Sequence, residues 1–184
     1  LFLMHGYSGS GKTHLSGELM LHWPALRVRS DVERKRMLGL GAAQTTRSAF
    51  GAGAYSQDTT AATYEHLIEV AETAVQGGFS VIVDAACLRR QQRQLFRALA
   101  RTHDMRFVIV DCVAAEPELR SRLRRRSVHG TDASEADEAI LDQQLQFAEP
   151  LDAEENAEAV CFDAAAGKDT TAFIADIRMR LGQA

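Results

Sequence analysis

The chain has 184 residues, of which 46% are apolar and 25% are charged, a size and composition that indicate one folded domain and exclude a disordered or fibrous chain. With 25 acidic against 21 basic residues its net charge is −4, its pI is about 5.9, and no apolar run reaches the roughly 20 residues that span a bilayer. These values exclude a membrane-spanning chain and disfavour nucleic acid as a partner. Three widely spaced cysteines, Cys87, Cys112 and Cys161, predict reduced thiols in a cytoplasmic protein.

Taken in chain order, short apolar runs predict five strands, at Leu1–His5, Leu26–Arg29, Ser80–Asp84, Arg106–Cys112 and Ala159–Phe162. Amphipathic spacing between them predicts helices at Lys12–His22, Ser56–Gln76, Leu88–Arg101, Pro117 to about Arg126, Ser134–Ala148 and Thr170–Leu181. This alternation favours an α/β fold with a parallel sheet, helices on both faces and binding residues at the carboxyl ends of the strands. We expect residues 1–184 to form a single domain. Because the chain opens within a strand, we also expect upstream residues or a preceding domain.

The first predicted strand leads into a phosphate-binding motif. Residues 6–13 match G-x-x-x-x-G-K-[ST], and the positions expected to bind the nucleotide are Gly6, Ser8, Gly9, Ser10, Gly11, Lys12 and Thr13. The glycines let backbone N–H groups turn inward around an anion, and the helix that follows adds its positive N-terminal dipole. Lys12 is expected to reach the β- and γ-phosphates, and the Thr13 hydroxyl is expected to bind Mg²⁺.

A carboxylate near Mg²⁺ is expected at the end of an apolar strand, and two predicted strands qualify. The segments Val81–Asp84 and Val108–Asp111 both read Val-Ile-Val-Asp. The carboxylate must lie beside the strand that precedes the phosphate loop. In kinase-like folds with such a loop the third strand in sequence is that neighbour, so we expect Asp84, rather than Asp111, to lie near Mg²⁺.

Asp31 and Arg34 follow the second predicted strand and form a candidate acceptor site. At the carboxyl end of a strand, the Asp31 carboxylate can orient or deprotonate an acceptor hydroxyl. Arg34 projects from the same helical face and can bind a phosphate or carboxylate of the acceptor. A structural alternative is a capping box of Ser30 with Glu33, in which Asp31 only complements the helix dipole. The two interpretations are compatible.

Five arginines crowd the end of one predicted helix, at positions 120, 122, 124, 125 and 126, before a loop at 127–132. Arg122 and Arg126 share a helical face. We therefore expect a lid at about residues 120–133 in which these two neutralise charge on the transferred phosphoryl group. The alternative is a solvated basic helix end that complements the C-terminal dipole.

Two further segments have less specific patterns. The arginines at positions 90, 93, 97 and 101 recur at helical spacing, and a solvated face is favoured over a path for a polyanion. The irregular stretch Gly39–Tyr55 is expected to close over the acceptor.

The chain resembles the P-loop kinases described as predicted kinases or AAA-type ATP-binding domains. The resemblance rests on four segments in this order: the phosphate loop, Arg29–Arg36, Val81–Arg90 and the arginine-rich lid. These kinases are similar to the kinase domain of polynucleotide kinase, to zeta toxins and, more distantly, to gluconate kinases. The resemblance covers nearly the whole chain. It implies a three-layer P-loop NTPase fold, with five parallel strands in the order 2-3-1-4-5, helices on both faces and an arginine-rich lid.

The resemblance also implies roles for the candidate residues. Asp31 would be the general base and Arg34 a contact to a phosphate of the acceptor, while Asp84 would lie near Mg²⁺. Arg122 or Arg126 would reach the phosphates from the lid. Such domains also occur fused behind a domain that resembles an aminoglycoside phosphotransferase, which would explain a chain that opens within a strand.

The expected function is Mg²⁺- and ATP-dependent transfer of a phosphoryl group to a hydroxyl of a small molecule. Three alternatives remain: a kinase of the 5′-hydroxyl of nucleic acid, a non-catalytic ATP-binding regulatory module of a fused protein, and a toxin-like kinase acting on nucleotide sugars. The acidic balance disfavours the first alternative. The absence of an Asn-Lys-x-Asp motif from the sequence favours ATP over GTP.

Overall fold

The computed structural model describes residues 1–42, 44, 57–129, 136–163 and 169–182. Its strands are β1 (Phe2–His5), β2 (Ala25–Arg29), β3 (Ser80–Asp84), β4 (Val108–Val113) and β5 (Ala159–Asp163). Its helices are α1 (Lys12–His22), α2 (Ser30–Met37), α3 (Gln57–Gln76), α4 (Arg90–Thr102), α5 (Glu116–His129), α6 (Glu138–Phe147), α7 (Ala153–Glu158) and α8 (Thr170–Arg180). All five predicted strands form, each close to its predicted bounds.

The strands form one parallel sheet in the order β2-β3-β1-β4-β5, which confirms the predicted order. The central strand β1 pairs with β3 on one side and with β4 on the other, where His5 lies opposite Asp111. The edge strand β2 places Arg29 opposite Asp84, the last residue of β3. The carboxyl ends of the strands therefore meet at one edge, and the phosphate loop leaves the middle of that edge.

Helices cover both faces of the sheet, as predicted. Successive side chains of a strand point to opposite faces, and both sides of β1 are apolar. Leu3 packs in a core with Phe96 of α4, whereas Met4 packs on the other face with Leu15 of α1. All four side chains are at most 1% exposed. The sheet is thus the middle layer of three, which confirms the three-layer P-loop NTPase fold.

Two helices of the structure were not predicted as separate elements, α2 and α7. Helix α7 is short and acidic, and it lacks the apolar periodicity by which helices are predicted. It begins with a capping box instead: Asp152 Oδ1 accepts a hydrogen bond from Glu155 N–H at 2.8 Å, and Glu155 Oε2 accepts one from Asp152 N–H at 3.0 Å. Ser134, where the sequence predicted that a helix starts, lies outside the described residues, and α6 begins at Glu138 after its cap residue Asp137.

The predicted solvated face of arginines on α4 is wrong for Arg93 and Arg97, because both pair with acidic residues of α7. Arg90 and Arg101 are exposed, as predicted. Arg93 is only 1% exposed. Its Nε and Nη2 donate to the two carboxylate oxygens of Glu155 at 2.8 and 2.9 Å. The remaining donors reach the carbonyl oxygens of Cys87, Glu149 and Pro150 at 3.1 to 3.2 Å. The five N–H donors of the buried guanidinium are therefore all used.

Some sequence predictions concern residues that the structure describes only in part. Within the expected closing loop at 39–55, only residues 39–42 and 44 are described, and residues 130–133 of the expected lid lie outside the described part. Within the described residues, no helix is long and apolar enough to cross a membrane. The three cysteines are free thiols.

Replacing Arg93 tests the buried ion pair. Arg93→Ala leaves the Glu155 carboxylate buried without its partner, so we expect the free energy of unfolding to fall by about 3 to 5 kcal/mol in urea denaturation. Arg90→Ala is the matched control on the same helix. Its half-exposed side chain lies 3.3 Å from Asp152, and its loss should cost less than about 1 kcal/mol. Equal effects of the two substitutions would show that the buried pair contributes no more to stability than a surface pair.

Candidate active site

Three glycines shape the phosphate loop between β1 and α1. Gly6, Gly9 and Gly11 have φ angles of +129°, +86° and +99°, conformations that other residues rarely adopt. A Cβ atom at Gly6 would clash with the carbonyl oxygen of Cys112, and one at Gly9 would lie 3.0 Å from the carbonyl oxygen of Leu119. The loop therefore requires glycine for its backbone angles and for its close contacts with β4 and α5.

Lys12 and the start of α1 supply positive charge behind this loop. Lys12 Nζ donates to the carbonyl oxygen of Tyr7 at 2.8 Å, so its side chain folds back across the loop. Helix α1 has no acidic residue in its first turn and no side-chain cap, which leaves its N-terminal dipole available to an anion. Burial lowers the pKa of Lys12, although the charges of Asp84 and Asp31 oppose this shift. A bound anion would compensate this partly buried ammonium group.

Asp84 lies at the end of β3, next to the first turn of α1. Its Oδ2 accepts a hydrogen bond from Ser16 Oγ at 3.2 Å, and Arg29 Nε lies 3.4 Å from the same oxygen. Burial raises the pKa of Asp84, and the charges of Lys12 and Arg29 partly offset this rise. The neighbouring Thr13 side chain is close enough to lower the pKa of Asp84 as well. The two predicted metal ligands, Thr13 and Asp84, are thus brought together.

Asp111, the other strand-end carboxylate, is engaged elsewhere. Its Oδ1 lies 2.7 Å from Nδ1 of His5, and it does not line the cavity that contains Thr13 and Asp84. Both β3 and β4 pair with β1, so adjacency to the phosphate-loop strand does not by itself separate the two candidates. The contacts of the two carboxylates differ, and they favour Asp84 as the residue near Mg²⁺.

Asp31 and Arg34 lie in the first turns of α2, which follows β2 directly. Arg34 Nη1 donates to Asp31 Oδ1 at 3.0 Å, and both side chains line the same cavity as the phosphate loop. The alternative capping box is wrong, because Ser30 lies inside the helix and Arg29 is the cap residue, with no side-chain cap. Glu33 contacts Arg36 and His66 instead, at 2.6 and 3.3 Å.

Of the lid arginines, Arg122 and Arg126 reach the cavity. Arg122 Nη1 donates to the carbonyl oxygen of Gly9 at 3.2 Å, and its Nε donates to Glu118 Oε1 at 2.7 Å. Arg126 Nη2 donates to the carbonyl oxygen of Ala136 at 2.5 Å. The other three arginines contact acidic side chains on the outside of α5 and α6, at Glu116, Glu118, Glu138 and Asp142.

These groups share one cavity of about 950 Å³ at the carboxyl edge of the sheet, within the size range of small-ligand sites. Among the lining residues that sequence reasoning did not assign to a site are Tyr64, Arg89, Gln144 and Phe147. The Tyr64 hydroxyl accepts a hydrogen bond from Cys87 N–H at 3.0 Å. The Arg89 guanidinium lies 4.8 Å from the centre of the Phe147 ring. The apolar periodicity of Tyr64 predicted only core packing, and the other three carried no signal.

Two other kinds of chemistry are disfavoured by the surroundings. Burial raises the pKa values of the Cys87 and Cys112 thiols to about 12, so neither is a thiolate nucleophile at neutral pH. No group of three or more His, Cys, Asp or Glu side chains in the described residues could hold a metal ion. Thr13 and Asp84 fit Mg²⁺ instead, which takes few protein oxygens and keeps its waters and phosphate ligands.

A comparison with protein families agrees with this geometry. The family model AAA_33, described as an AAA domain, matches residues 1–151. The chain belongs to this AAA domain family. No curated protein gives a significant match to it.

Three solved structures with a similar fold are named as kinases. A sugar kinase from Janibacter sp. HTCC2649 is 18% identical with a TM-score of 0.70, covering 100% of this chain and 94% of that one. A gluconokinase from Sinorhizobium meliloti 1021 is 19% identical with a TM-score of 0.63, covering 99% and 91%. An APS kinase from Mycobacterium tuberculosis, in complex with AMPPNP and APS, is 16% identical with a TM-score of 0.64, covering 98% and 96%. At these identities the likeness shows the fold.

A substitution at Gly6 tests the steric requirement of the loop. Gly6→Ala adds a methyl group against the Cys112 carbonyl at a φ angle of +129°, so we expect the free energy of unfolding to fall by roughly 1 to 3 kcal/mol. Gly17→Ala is the control within α1. Its Cβ would meet Arg27 at an ordinary 3.5 Å, and the better helix propensity of Ala should add about 0.5 to 1 kcal/mol. Stabilisation by both substitutions would refute the requirement.

The buried charge of Asp84 predicts a pH-dependent gain in stability on its removal. A raised folded-state pKa means that ionising Asp84 costs more in the folded than in the unfolded protein, so the penalty grows as pH rises above the unfolded value of about 3.9. We therefore expect Asp84→Asn to raise the melting temperature at pH 7, by an amount that shrinks toward about pH 4. Thermal melts of both proteins across this range measure it. A lower melting temperature for the variant at pH 7 would show that the ionised Asp84 stabilises the folded protein.

Proposed function

We propose that this AAA domain protein is a kinase that transfers the γ-phosphoryl group of ATP, with Mg²⁺, to a hydroxyl of a small molecule. One observation carries the proposal: Lys12 of the phosphate loop and the pair of Asp31 and Arg34 line the same cavity. Nucleotide binding alone requires only the loop. Phosphoryl transfer to a hydroxyl also needs a base. The carboxylate of Asp31, which follows the edge strand β2, can supply it.

The donor half of the cavity is lined by five residues of the phosphate loop, Ser8, Gly9, Gly11, Lys12 and Thr13. ATP lies over this loop, with its phosphates at the loop N–H groups and Lys12. Thr13 and Asp84 are the residues that would hold Mg²⁺, and the ion when bound neutralises charge on the β- and γ-phosphates. ATP is preferred over GTP because the sequence has no Asn-Lys-x-Asp motif.

The acceptor half is formed around Asp31 and Arg34. Arg34 Nη1 donates to Asp31 Oδ1 at 3.0 Å and so orients the carboxylate within the cavity. Asp31 accepts the proton of the acceptor hydroxyl, whose oxygen forms a bond to the γ-phosphorus while the bond to the leaving ADP oxygen breaks. Arg122 and Arg126 balance the negative charge of the phosphoryl group in transit.

A small molecule suits the acceptor half better than a nucleic acid does. Asp58 and Glu65 line the cavity together with Asp31, and these carboxylates would repel a chain of phosphates. The volume of about 950 Å³ is at the upper end for a drug-sized ligand. The names of the similar structures, a sugar kinase, a gluconokinase and an APS kinase, support the same class of acceptor.

ADP release from Mg-ATP tests the proposal across a panel of sugars, sugar acids, nucleosides, aminoglycosides, nucleotide sugars and 5′-hydroxyl oligonucleotides. We expect one of the small-molecule classes to stimulate release. Asp31→Asn should lower the stimulated kcat by roughly 10²- to 10⁴-fold, and Lys12→Ala should abolish it. Asp142→Asn, a surface carboxylate 54% exposed on α6, is the control that should keep full activity.

Three results would count against the kinase assignment. Nucleotide binding without stimulation by any acceptor would favour a non-catalytic regulatory module. Full activity of Asp31→Asn would remove the proposed base. Stimulation by oligonucleotides alone, weakening steeply with salt, would make the acceptor a polynucleotide.

A further inference from the structure

One peptide group of the phosphate loop is held from both sides. The carbonyl oxygen of Tyr7 accepts a hydrogen bond from Lys12 Nζ at 2.8 Å. The N–H of Ser8, which belongs to the same peptide group, donates to Oε1 of Gln144 at 2.8 Å. A trans peptide directs its C=O and N–H groups to opposite sides. A single peptide group therefore separates the Gln144 amide from the Lys12 ammonium.

The position of Gln144 is set by the packing of α6. The residue is 9% exposed. Leu141, one turn earlier, is fully buried in a small apolar cluster against which Tyr7 packs. Just beyond the helix, Glu149 N–H donates to the carbonyl oxygen of Leu88 at 2.9 Å, in the loop that follows β3. Helix α6 is thus tied to the phosphate loop and to the sheet edge.

The hydrogen bond from Ser8 defines how the Gln144 amide is oriented. An amide side chain has one accepting oxygen and an NH₂ group with two donors. Since the backbone N–H of Ser8 can only donate, the oxygen faces Ser8 and Nε2 lies on the other side. Within the described part of the chain Nε2 donates to no residue, and Gln144 lines the cavity. Gln144 therefore offers two N–H donors at the wall of the cavity that Lys12 also lines, and such donors suit an anionic group.

We propose that Gln144 binds the γ-phosphoryl group and so distinguishes a nucleoside triphosphate from a diphosphate. This proposal rests on the proposed function, which places ATP over the loop with Lys12 at its β- and γ-phosphates. Nε2 donates to a γ-phosphate oxygen, while Oε1 keeps the Tyr7–Ser8 peptide oriented. A hydrogen bond to a charged oxygen is stronger than one between neutral groups, so its loss is measurable by binding alone, without knowledge of the acceptor.

The test compares the affinities of Mg-AMPPNP and Mg-ADP by calorimetry. For Gln144→Ala we expect a loss of roughly tenfold or more for AMPPNP and a change of less than about twofold for ADP. Gln144→Glu keeps an oxygen that accepts from Ser8 N–H but places a negative charge at the donor position, so its loss for AMPPNP should be larger still. Gln146→Ala, an exposed residue of the same helix outside the cavity, should change neither affinity.

Several outcomes would overturn the proposal. Equal losses for AMPPNP and ADP would show that Gln144 only shapes the loop. Tighter binding of AMPPNP to Gln144→Ala would show that the side chain competes with phosphate. If Gln144→Ala melts at a lower temperature than wild type, the same affinities are measured on Gln144→Met, whose side chain is close to isosteric with glutamine. Failure of the wild-type protein to bind either nucleotide would overturn the proposed function itself. If wild type and the Gln144 variants bind both nucleotides with equal affinity, only the role proposed for Gln144 is overturned.

Discussion

The turn from β1 into the phosphate loop is the constraint on which the site depends. At Gly6 the chain leaves the central strand at a φ angle of +129°, against the carbonyl oxygen of Cys112. Its N–H donates to the carbonyl oxygen of Ala86 at 3.1 Å. The loop is therefore fixed to both neighbouring strand ends before any ligand arrives. Such preorganisation keeps the N–H groups of the loop in place without further cost when an anion binds.

The loop between β3 and α4 joins this turn to the rest of the cavity. Its Ala86 carbonyl holds Gly6, its Cys87 N–H bonds to the Tyr64 hydroxyl, and its Cys87 carbonyl accepts from Arg93. Cys87 has a φ angle of +48°, an uncommon conformation for a residue with a side chain, and it is held at both its N–H and its C=O. The phosphate loop, the wall formed by α3 and the buried ion pair of α4 with α7 are thus parts of one connected structure.

The sequence predicts those features that are encoded locally. The parallel sheet follows from strand–helix alternation, and the phosphate loop follows from eight consecutive residues. The strand order was implied only by the family resemblance. The contacts of Gln144 and Arg93 were not predictable in this way, because Ser8 and Gln144 lie 136 residues apart and Arg93 and Glu155 lie 62 apart. Helical spacing places an arginine on a face, but it does not say which element covers that face. The preference for Asp84 over Asp111 as the residue near Mg²⁺ likewise rests on contacts, since both strands adjoin β1.

The destination of the transferred phosphoryl group tests the central claim most directly. ATP labelled with ¹⁸O in its γ-phosphoryl group can be incubated with the protein, Mg²⁺ and a mixture of hydroxyl-bearing small molecules, and the products followed by mass spectrometry. Because Lys12 and Asp31 line one cavity, we expect the labelled phosphoryl group to appear on one organic acceptor. Label found only in inorganic phosphate, or retained in ATP, would contradict a kinase.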